Sequence, residues 1–240
     1  MKIIISDIDN SLSSLNNDEL MKSLRIFFSN GNKFIIATSK AINYVADILS
    51  LSDLIAEYYI CNDGAAIFDR YFNILYRKDL NNNIVRPIFN MLSDDGNILE
   101  TYVDTSHGFV TDTKVVANGI VARPLDDTKA ELLLDSIKLK YPNVNGHISD
   151  NIINIIDRDA SKKNALEFLE NDYRLDTSSV YVLGRDNTDL ELMEKYNGYI
   201  LKNSSLDLRK YAKGEVSSLK ELVDIINKED ENNELETIYL

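Results

Sequence analysis

The sequence predicts an α/β protein whose core is a parallel sheet, interrupted once by a smaller α+β domain. Strand-like and helix-like segments alternate up to about residue 79 and again from residue 158, which is typical of parallel βαβ units. Hairpin-like patterns fill the segment between them. Polar residues also follow the predicted core strands, at the sheet edge where ligands bind in open α/β folds. We therefore predict a core of residues 1–79 and 158–240, with residues 80–157 as an inserted domain.

The first part of the core is predicted from apolar segments of strand length that alternate with amphipathic helical patterns. One helix begins after Asn17, a residue type that caps helices, and ends at Asn30. The next helix passes through Tyr44 and Ile48. The strands are predicted at residues 2–6, 33–37, 58–61, 65–68 and 74–77, and the last two form a hairpin.

The insert combines two predicted helices, at residues 84–92 and 127–141, with four short strands. The strands are predicted at residues 98–103, 114–122, 144–148 and 152–156. Both histidines of the chain, His107 and His147, lie in this segment. They are too far apart in sequence to match the spacing of metal ligands, and we predict surface or packing roles for them.

After the insert, the alternation of helix and strand resumes. The helices are predicted at residues 161–171, 188–196 and 215–226, and the strands at residues 179–183 and 199–201. Residues 229–236 are strongly acidic, and we predict a solvated, frayed end there.

Composition narrows the possible functions. The 240 residues, 44% of them hydrophobic, can bury a full core. The formal net charge of −13 argues against nucleic acid and anionic membranes as partners, although a local divalent cation can make one cleft attractive to phosphate groups. A single cysteine, Cys61, excludes an internal disulfide and fits a reducing compartment. With neither a signal-peptide pattern nor an apolar run of membrane-spanning length, we expect a soluble cytoplasmic protein.

Two acidic residues, Asp7 and Asp9, follow the first predicted strand. Because side chains alternate along a strand, they project to the same side. Two carboxylates at the edge of a buried sheet are costly unless a cation or a shared proton compensates them. A solvated turn rich in Asp, Asn and Ser is the alternative for this segment taken alone.

Further polar groups occur near the ends of other core strands. Thr38 and Ser39 follow the second strand, and Lys162 begins the helix after the insert. Asp186 and Asp189 follow the strand after that helix. Phosphoryl transfer through a carboxylate needs an attacking acid, a second acid for the leaving oxygen, carboxylates for Mg²⁺, and a hydroxyl with a lysine for the phosphoryl oxygens. Taken singly, Thr38-Ser39 is more simply a helix cap and Lys162 a solvated lysine, but their ordered co-occurrence favours phosphoryl transfer.

Five segments resemble motifs of the haloacid dehalogenase superfamily of phosphatases. Residues 7–11 resemble DxDGT, residues 36–40 resemble ATGR, residues 61–65 resemble SNGA, residues 161–166 resemble SKGxAL, and residues 184–193 resemble GDSxNDxxML. The insert has the position of the C2-type cap in the Cof-like, sucrose-phosphatase-like branch, subfamily IIB. The resemblance covers essentially the whole chain, and it implies a Rossmann-like core with a C2-type cap.

The resemblance also implies a role for each matching residue. Asp7 would be the nucleophile that forms an aspartyl-phosphate, and Asp9 the general acid and base. The phosphate-binding residues would be Asn10, Ser11, Thr38, Ser39 and Lys162. The Mg²⁺ ligands would be Asp7, Asp9, Asp186 and Asp189. The implied function is a Mg²⁺-dependent phosphomonoester hydrolase for a small phosphorylated metabolite, with a sugar phosphate as the first candidate.

The fourth motif departs from the family pattern. Arg185 stands where the family places a metal-binding Asp, and Thr188 replaces an Asn. We predict that Asp186 takes over the metal contact, because four clustered carboxylates need a cation that one guanidinium cannot replace. Two alternatives stay open. One is a phosphotransferase or phosphomutase on the same scaffold, and the other is a weakened or inactive binding or regulatory protein. The oligomeric state is not predicted.

Overall fold

The computed structural model describes residues 1–8 and 17–238, with the backbone alone for residues 233–238. The chain divides into two compact units. The first comprises Met1–Thr38, Ala46–Tyr59 and Glu167–Leu240, and the second comprises Ser39–Val45 and Ile60–Leu166. The second unit contains the whole predicted insert together with flanking segments, so the proposed limits at residues 80 and 157 stay a prediction.

Strands outnumber helices in the part of the chain that the structure describes. The strands are β1 (Ile3–Ser6), β2 (Lys33–Ala37), β3 (Tyr58–Cys61), β4 (Ala66–Asp69), β5 (Ile74–Arg77), β6 (Ile98–Thr105), β7 (Gly108–Val110), β8 (Gly119–Pro124), β9 (Val144–Ser149), β10 (Ile152–Asp157), β11 (Val180–Gly184), β12 (Asn197–Leu201) and β13 (Ala212–Val216). The helices are α1 (Asp18–Ser29), α2 (Ile42–Leu49), α3 (Asn82–Ser93), α4 (Asp127–Lys140), α5 (Lys162–Asp172), α6 (Leu190–Lys195) and α7 (Leu219–Ile238).

The first unit is built on a parallel sheet in which β1 lies between β2 and β11, with β12 and β13 beyond β11. The β1 residues Ile3, Ile4 and Ile5 are at most 1% exposed, as expected for a strand covered on both faces. Ser6 is level with Ile36 of β2 and with Leu183 of β11. The carboxyl ends of three neighbouring strands therefore reach one edge, and the predicted parallel α/β core is confirmed.

Helices α1 and α7 pack against each other in the first unit. Asn17 caps α1, as predicted. Ser23 Oγ donates a hydrogen bond to Asp224 Oδ1 at 2.6 Å, and Asn227 Nδ2 donates to Ser23 O at 3.0 Å. The buried face of α1 consists of Leu20, Ser23, Leu24 and Phe27. These contacts fix α7 against the helix that precedes β2.

The prediction of a frayed end at residues 229–236 is wrong, because these residues belong to α7. The Lys2 ammonium lies 3.0 Å from Glu229 Oε2 and 2.9 Å from Asp230 Oδ1. The Tyr181 hydroxyl donates to Glu229 Oε2 at 2.6 Å. The acidic side chains at the start of this segment therefore have partners beside β1 and on β11, which the local charge pattern does not reveal.

Several short elements also differ from the predictions. β7, β13 and a 3-10 turn at Leu206–Lys210 were not predicted, and the strand expected at residues 114–122 begins only at Gly119. The helix expected at residues 188–196 starts as a 3-10 turn before α6. Short strands such as β13 carry few apolar residues, so pairing with a neighbour decides their conformation more than their own pattern does.

The second unit contains a five-stranded antiparallel sheet in the order β7-β6-β8-β10-β9. Helix α3 packs on β6 and β8, and α4 packs on β9. The buried cluster between them includes Val85, Ile88 and Leu92 of α3 and Ala130, Leu134 and Ile137 of α4. The antiparallel hairpin β4–β5 belongs to the same unit. The predicted α+β character of this part of the chain is confirmed.

Two expectations from composition concern Cys61 and membrane-spanning segments. Cys61 is a buried free cysteine, and burial raises the pKa of its thiol. In the part of the chain that the structure describes, no helix has the length and apolar character needed to cross a bilayer.

A turn after β3 has three consecutive residues in the left-handed region. The φ angles are +50° at Asn62, +52° at Asp63 and +94° at Gly64. A Cβ added at Gly64 would collide with the carbonyl group of Ser161 and would lie 2.8 Å from the backbone nitrogen of Lys162. Only glycine therefore allows this turn to lie directly against the start of α5.

Replacing this glycine tests how closely the turn and α5 pack. We expect Gly64→Ala to lower the free energy of unfolding by about 1–2 kcal/mol for the left-handed backbone and by roughly another 1–3 kcal/mol for the collision. The matched control is Gly31→Ala, at φ +75° with nothing within 4 Å of the added Cβ. The Gly31→Ala control should lower the free energy of unfolding only by the amount that the left-handed backbone costs. Urea unfolding of both variants measures the difference, and equal losses would contradict the close approach.

Candidate functional site

The candidate site lies at the carboxyl edge of the sheet in the first unit. Asp7 directly follows β1, Thr38 follows β2, and residues 185–189 follow β11. Asp7 is 6% exposed, Thr38 0% and Asp189 2%. Because burying polar groups is costly without compensating interactions, two buried carboxylates beside a buried hydroxyl indicate a specialised edge. The strand register places Asp7 and Thr38 at neighbouring strand ends, and Asp189 follows the third strand end in the loop after β11.

The loop after β11 is held by its own backbone. Arg185 N donates to Asp189 Oδ2 at 2.8 Å, and Asp189 N donates to Asp186 O at 3.0 Å. These bonds keep the Asp189 carboxylate against the chain that leaves β11. In this bond Arg185 donates through its backbone N–H group.

Asp186 is the cap of the 3-10 turn at Asn187–Asp189. Its Oδ1 accepts hydrogen bonds from Thr188 N at 2.9 Å and from Thr188 Oγ1 at 2.7 Å. One carboxylate oxygen of Asp186 is therefore engaged within the loop. Its role as a metal ligand stays a prediction.

Two serines that the sequence analysis did not identify brace the same loop. Ser204 Oγ donates to Gly184 O at 2.9 Å, and Ser205 N donates to Arg185 O at 2.9 Å. Ser205 Oγ also donates to Asn187 Oδ1 at 3.1 Å. Their signal in the sequence is a polar run directly after β12, which by itself predicts only a loop.

Two predicted phosphate-binding residues, Ser39 and Lys162, belong to the second unit. Lys162 begins α5 and is 1% exposed. That burial contradicts the alternative explanation of a solvated lysine at a helix end. A lysine buried to this extent is unusual unless charged or polar groups compensate it.

A buried polar cluster in the second unit was not predicted. Asn62 Nδ2 donates to Asp104 Oδ2 at 2.7 Å. Burial is the main cause that raises the pKa of the Asp104 carboxyl to about 7; the hydrogen bond from Asn62 and the charge of Lys40 lower this pKa, and the negative charge of Asp63 raises it. Asn62 and Asp104 lie 42 residues apart in the chain, so no local pattern could have paired them.

The two histidines lie at different places in the second unit. His147 Nε2 is 3.5 Å from Asp63 Oδ2, and the His147 side chain is 26% exposed. His107 is exposed, and its ring packs edge-on against Phe68 with 6.5 Å between ring centroids. His107 thus has a packing contact at the surface, and His147 stands beside a buried acid.

Three residues of the first predicted motif, Asp9, Asn10 and Ser11, lie outside the described residues. Their assigned roles in general acid–base catalysis, phosphate binding and metal binding stay predictions.

A divalent cation is compatible with the described acids. No group of three or more Asp, Glu, His or Cys side chains among the described residues forms a ready-made cation site. Mg²⁺, however, usually takes only one or two protein carboxylates and completes its shell with water and substrate phosphate oxygens. The buried carboxylates of Asp7, at the end of β1, and of Asp189, in the loop after the neighbouring strand β11, supply that donor chemistry.

Comparison with known proteins agrees with this architecture. Residues 4–119 and 111–222 match the model of the haloacid dehalogenase-like hydrolases. A HAD/COF-like hydrolase from Plasmodium vivax has a TM-score of 0.78 at 12% identity, covering 97% of this chain and 96% of that chain. A phosphatase of the same superfamily from Bacteroides thetaiotaomicron has a TM-score of 0.78 at 14% identity, covering 95% and 94%. A HAD subclass IIB sugar phosphatase has a TM-score of 0.75 at 13% identity, covering 94% and 99%.

A curated relative, an uncharacterized protein of Mycoplasma capricolum, is 31% identical over 112 residues. The match covers 42% of this chain and 41% of that protein, so it spans less than half the length of that relative. The solved structures, all below 25% identity, establish the shared fold. Since the family model matches most of the sequence, the chain belongs to the haloacid dehalogenase-like hydrolases and has the fold of their Cof-like members.

Proposed function

We propose that this chain is a phosphomonoester hydrolase for a small phosphorylated metabolite, with a sugar phosphate as the first candidate and Asp7 as the nucleophile. The observation that carries the proposal is the buried Asp7 carboxylate at the end of β1, between the ends of the two strands that lead to Thr38 and Asp189. A carboxylate held at a sheet edge is already positioned to attack a substrate that enters there. The sugar phosphatase among the structural neighbours supports the choice of substrate class.

The proposed reaction has two displacements at phosphorus. An Asp7 carboxylate oxygen forms a bond to phosphorus while the bond to the alcohol oxygen breaks, and Asp9 donates a proton to the departing oxygen. Asp9 then takes a proton from water as the water oxygen attacks phosphorus. The bond from phosphorus to Asp7 breaks, which restores both acids and releases inorganic phosphate.

Other residues would bind and orient the transferring group. Thr38 would donate its hydroxyl to a phosphoryl oxygen, and the Lys162 ammonium would offset the phosphoryl charge. Asp7, Asp9, Asp186 and Asp189 would hold Mg²⁺, which supplies charge neutralisation at the phosphoryl oxygens. The insert at residues 80–157 would set substrate specificity.

The nucleophile assignment is tested by Asp7→Asn, which preserves the shape of the side chain but removes the attacking charge. We expect Mg²⁺-dependent hydrolysis of p-nitrophenyl phosphate and of sugar phosphates to fall by at least about 10³-fold. Asp9→Asn should slow turnover by about 10²–10⁴-fold through loss of proton transfer. The control is Asp53→Asn, at an exposed acid, which should keep the wild-type rate. Wild-type turnover in the Asp7 variant, with unchanged circular dichroism, would refute the assignment.

The metal assignment is tested by two amide substitutions that keep the loop hydrogen bonds. Asn can still accept from Arg185 N at position 189 and from Thr188 N at position 186. We expect Asp189→Asn and Asp186→Asn each to weaken Mg²⁺ binding by about tenfold or more in calorimetry. Arg185→Asp should not weaken it.

The outcomes separate the competing functions. Unchanged Mg²⁺ affinity in Asp186→Asn would show that Asp186 is only the cap of its turn. If the wild-type protein neither binds Mg²⁺ at millimolar concentration nor hydrolyses any substrate in a broad phosphate panel, the non-catalytic alternative motivated by Arg185 takes the place of this proposal. Phosphoryl transfer that requires a second sugar phosphate would instead indicate a phosphotransferase or phosphomutase.

A further inference from the structure

The side chains of Asn62 and Asp104 are paired through only one of their two polar ends. Asn62 Nδ2 donates to Asp104 Oδ2 at 2.7 Å, and both residues are at least 96% buried. The remaining oxygens, Asn62 Oδ1 and Asp104 Oδ1, are also buried, and neither accepts a hydrogen bond from any of the described residues. Two unsatisfied acceptors on two groups that already share a hydrogen bond are costly unless a hydrogen lies between them.

A proton on Asp104 Oδ1 would satisfy both oxygens at once. The carboxylic acid would donate to Asn62 Oδ1 while the amide continues to donate to Asp104 Oδ2. Both groups are planar and present a donor beside an acceptor, so the two hydrogen bonds can form side by side. An ionised carboxylate has acceptors only and cannot make the second bond.

We propose that Asp104 is held as a carboxylic acid paired with Asn62, and that this pair positions Lys162 through the turn at Asn62–Gly64. The importance of Lys162 rests on the function proposed above, whereas the acid–amide pair itself does not. Asn62 and Asp104 are positioning residues in this arrangement.

The link from the pair to Lys162 runs through the backbone of one turn. Asn62 N donates to Lys40 O at 3.1 Å, and Ala65 N donates to Asn62 O at 2.9 Å. At the end of the turn, Gly64 lies directly against the Ser161 carbonyl and the backbone nitrogen of Lys162. A shift of Asn62 would therefore move the surface on which the first residues of α5 rest.

The turn needs an external restraint because its backbone is strained. Asn62 and Asp63 are both non-glycine residues at positive φ, and such conformations persist only where the surroundings enforce them. The Asn62 side chain is anchored on β6, since it donates to Asp104 and also to Thr105 O at 3.3 Å. Losing half of the pair with Asp104 would weaken the restraint on the strained residue itself.

The charged groups around Asp104 favour the protonated form on balance. Burial disfavours the carboxylate, and the Asp63 charge from the turn adds to this effect, while Lys40, from the segment after β2, opposes it. Burial raises the pKa of the Cys61 thiol on β3, and a negative charge on Asp104 raises it further. The pKa of Asp104 in the folded chain is about 7, against an ordinary value of 3.8.

The stability of the protein depends on pH because the pKa of Asp104 is higher in the folded chain than its ordinary value. Between about pH 4 and pH 7 the folded chain binds a proton at Asp104 that the unfolded chain has lost, so stability falls as the pH rises through this window. The stabilising pair is fully present at acidic pH and is lost as the pH passes about 7.

The decisive variant is Asp104→Asn, in which an amide can make both hydrogen bonds with Asn62 at every pH. On going from pH 5 to pH 8, we expect the Tm of the wild-type protein to fall relative to that of Asp104→Asn by roughly 4 °C or more. Asp79→Asn is the matched control, because Asp79 Oδ1 also accepts from a buried asparagine, Asn118, at 2.9 Å but lies half-exposed beside Arg77. The Tm of Asp79→Asn should change with pH in the same way as the Tm of the wild-type protein.

Hydrogen exchange measured by mass spectrometry tests the link to Lys162 without relying on activity. At pH 8, amides of residues 62–66 and 161–166 should exchange about tenfold faster in the wild type than in Asp104→Asn, and at pH 5 the two should agree. Asp104→Ala should exchange fast in these segments at both pH values. If hydrolysis is found, KM for p-nitrophenyl phosphate should rise above pH 7 in the wild type but less in Asp104→Asn.

Parallel stability curves for the wild type and Asp104→Asn from pH 5 to pH 8 would overturn the acid–amide pair. A pH-dependent Tm difference with no change of exchange at residues 161–166 would overturn the link to Lys162. Failure to detect any phosphatase activity would count against the proposed function, while the stability and exchange results would still decide this inference.

Discussion

The position of β1 between β2 and β11 is the constraint on which the candidate site of the first unit depends. Parallel strands present all their carboxyl ends to one edge, and the register places Ser6 level with Ile36 and Leu183. The chain therefore leaves the sheet at Asp7 beside the strand ends that lead to Thr38 and Asp189. Burial of each isoleucine in β1 contributes about 1.5–3 kcal/mol, which offsets part of the cost of burying a carboxylate at the end of that strand.

The loop after β11 shows why a departure from a family motif need not change the backbone around it. The Asp189 carboxylate is held by the N–H group of Arg185, and any residue except proline supplies that donor. Ser204 and Ser205 brace the same loop through backbone carbonyls. The backbone bond from position 185 to Asp189 therefore does not depend on which side chain, other than that of proline, stands at position 185.

In the second unit, a strained turn connects polar groups that come from distant segments. The turn at Asn62–Gly64 contacts Lys40, β6, and the start of α5 through hydrogen bonds or close packing. His147 on β9 stands beside Asp63 in the same turn. Non-glycine residues at positive φ tend to be retained where their geometry has a functional role. In this protein, such residues bring the backbone of the turn close to the buried Lys162.

The sequence by itself determined the fold class and most elements, and it singled out Asp7, Thr38, Lys162 and Asp189 as candidate site residues, whose roles stay predictions. Hydrophobic periodicity and local caps such as Asn17 predict the elements, because they act within one strand or helix. Only the tertiary structure decided that residues 229–236 continue a helix and that the Asn62 side chain donates a hydrogen bond to Asp104. These features depend on contacts between segments far apart in the chain, and on burial that raises the free energy of a charge, neither of which a local pattern records.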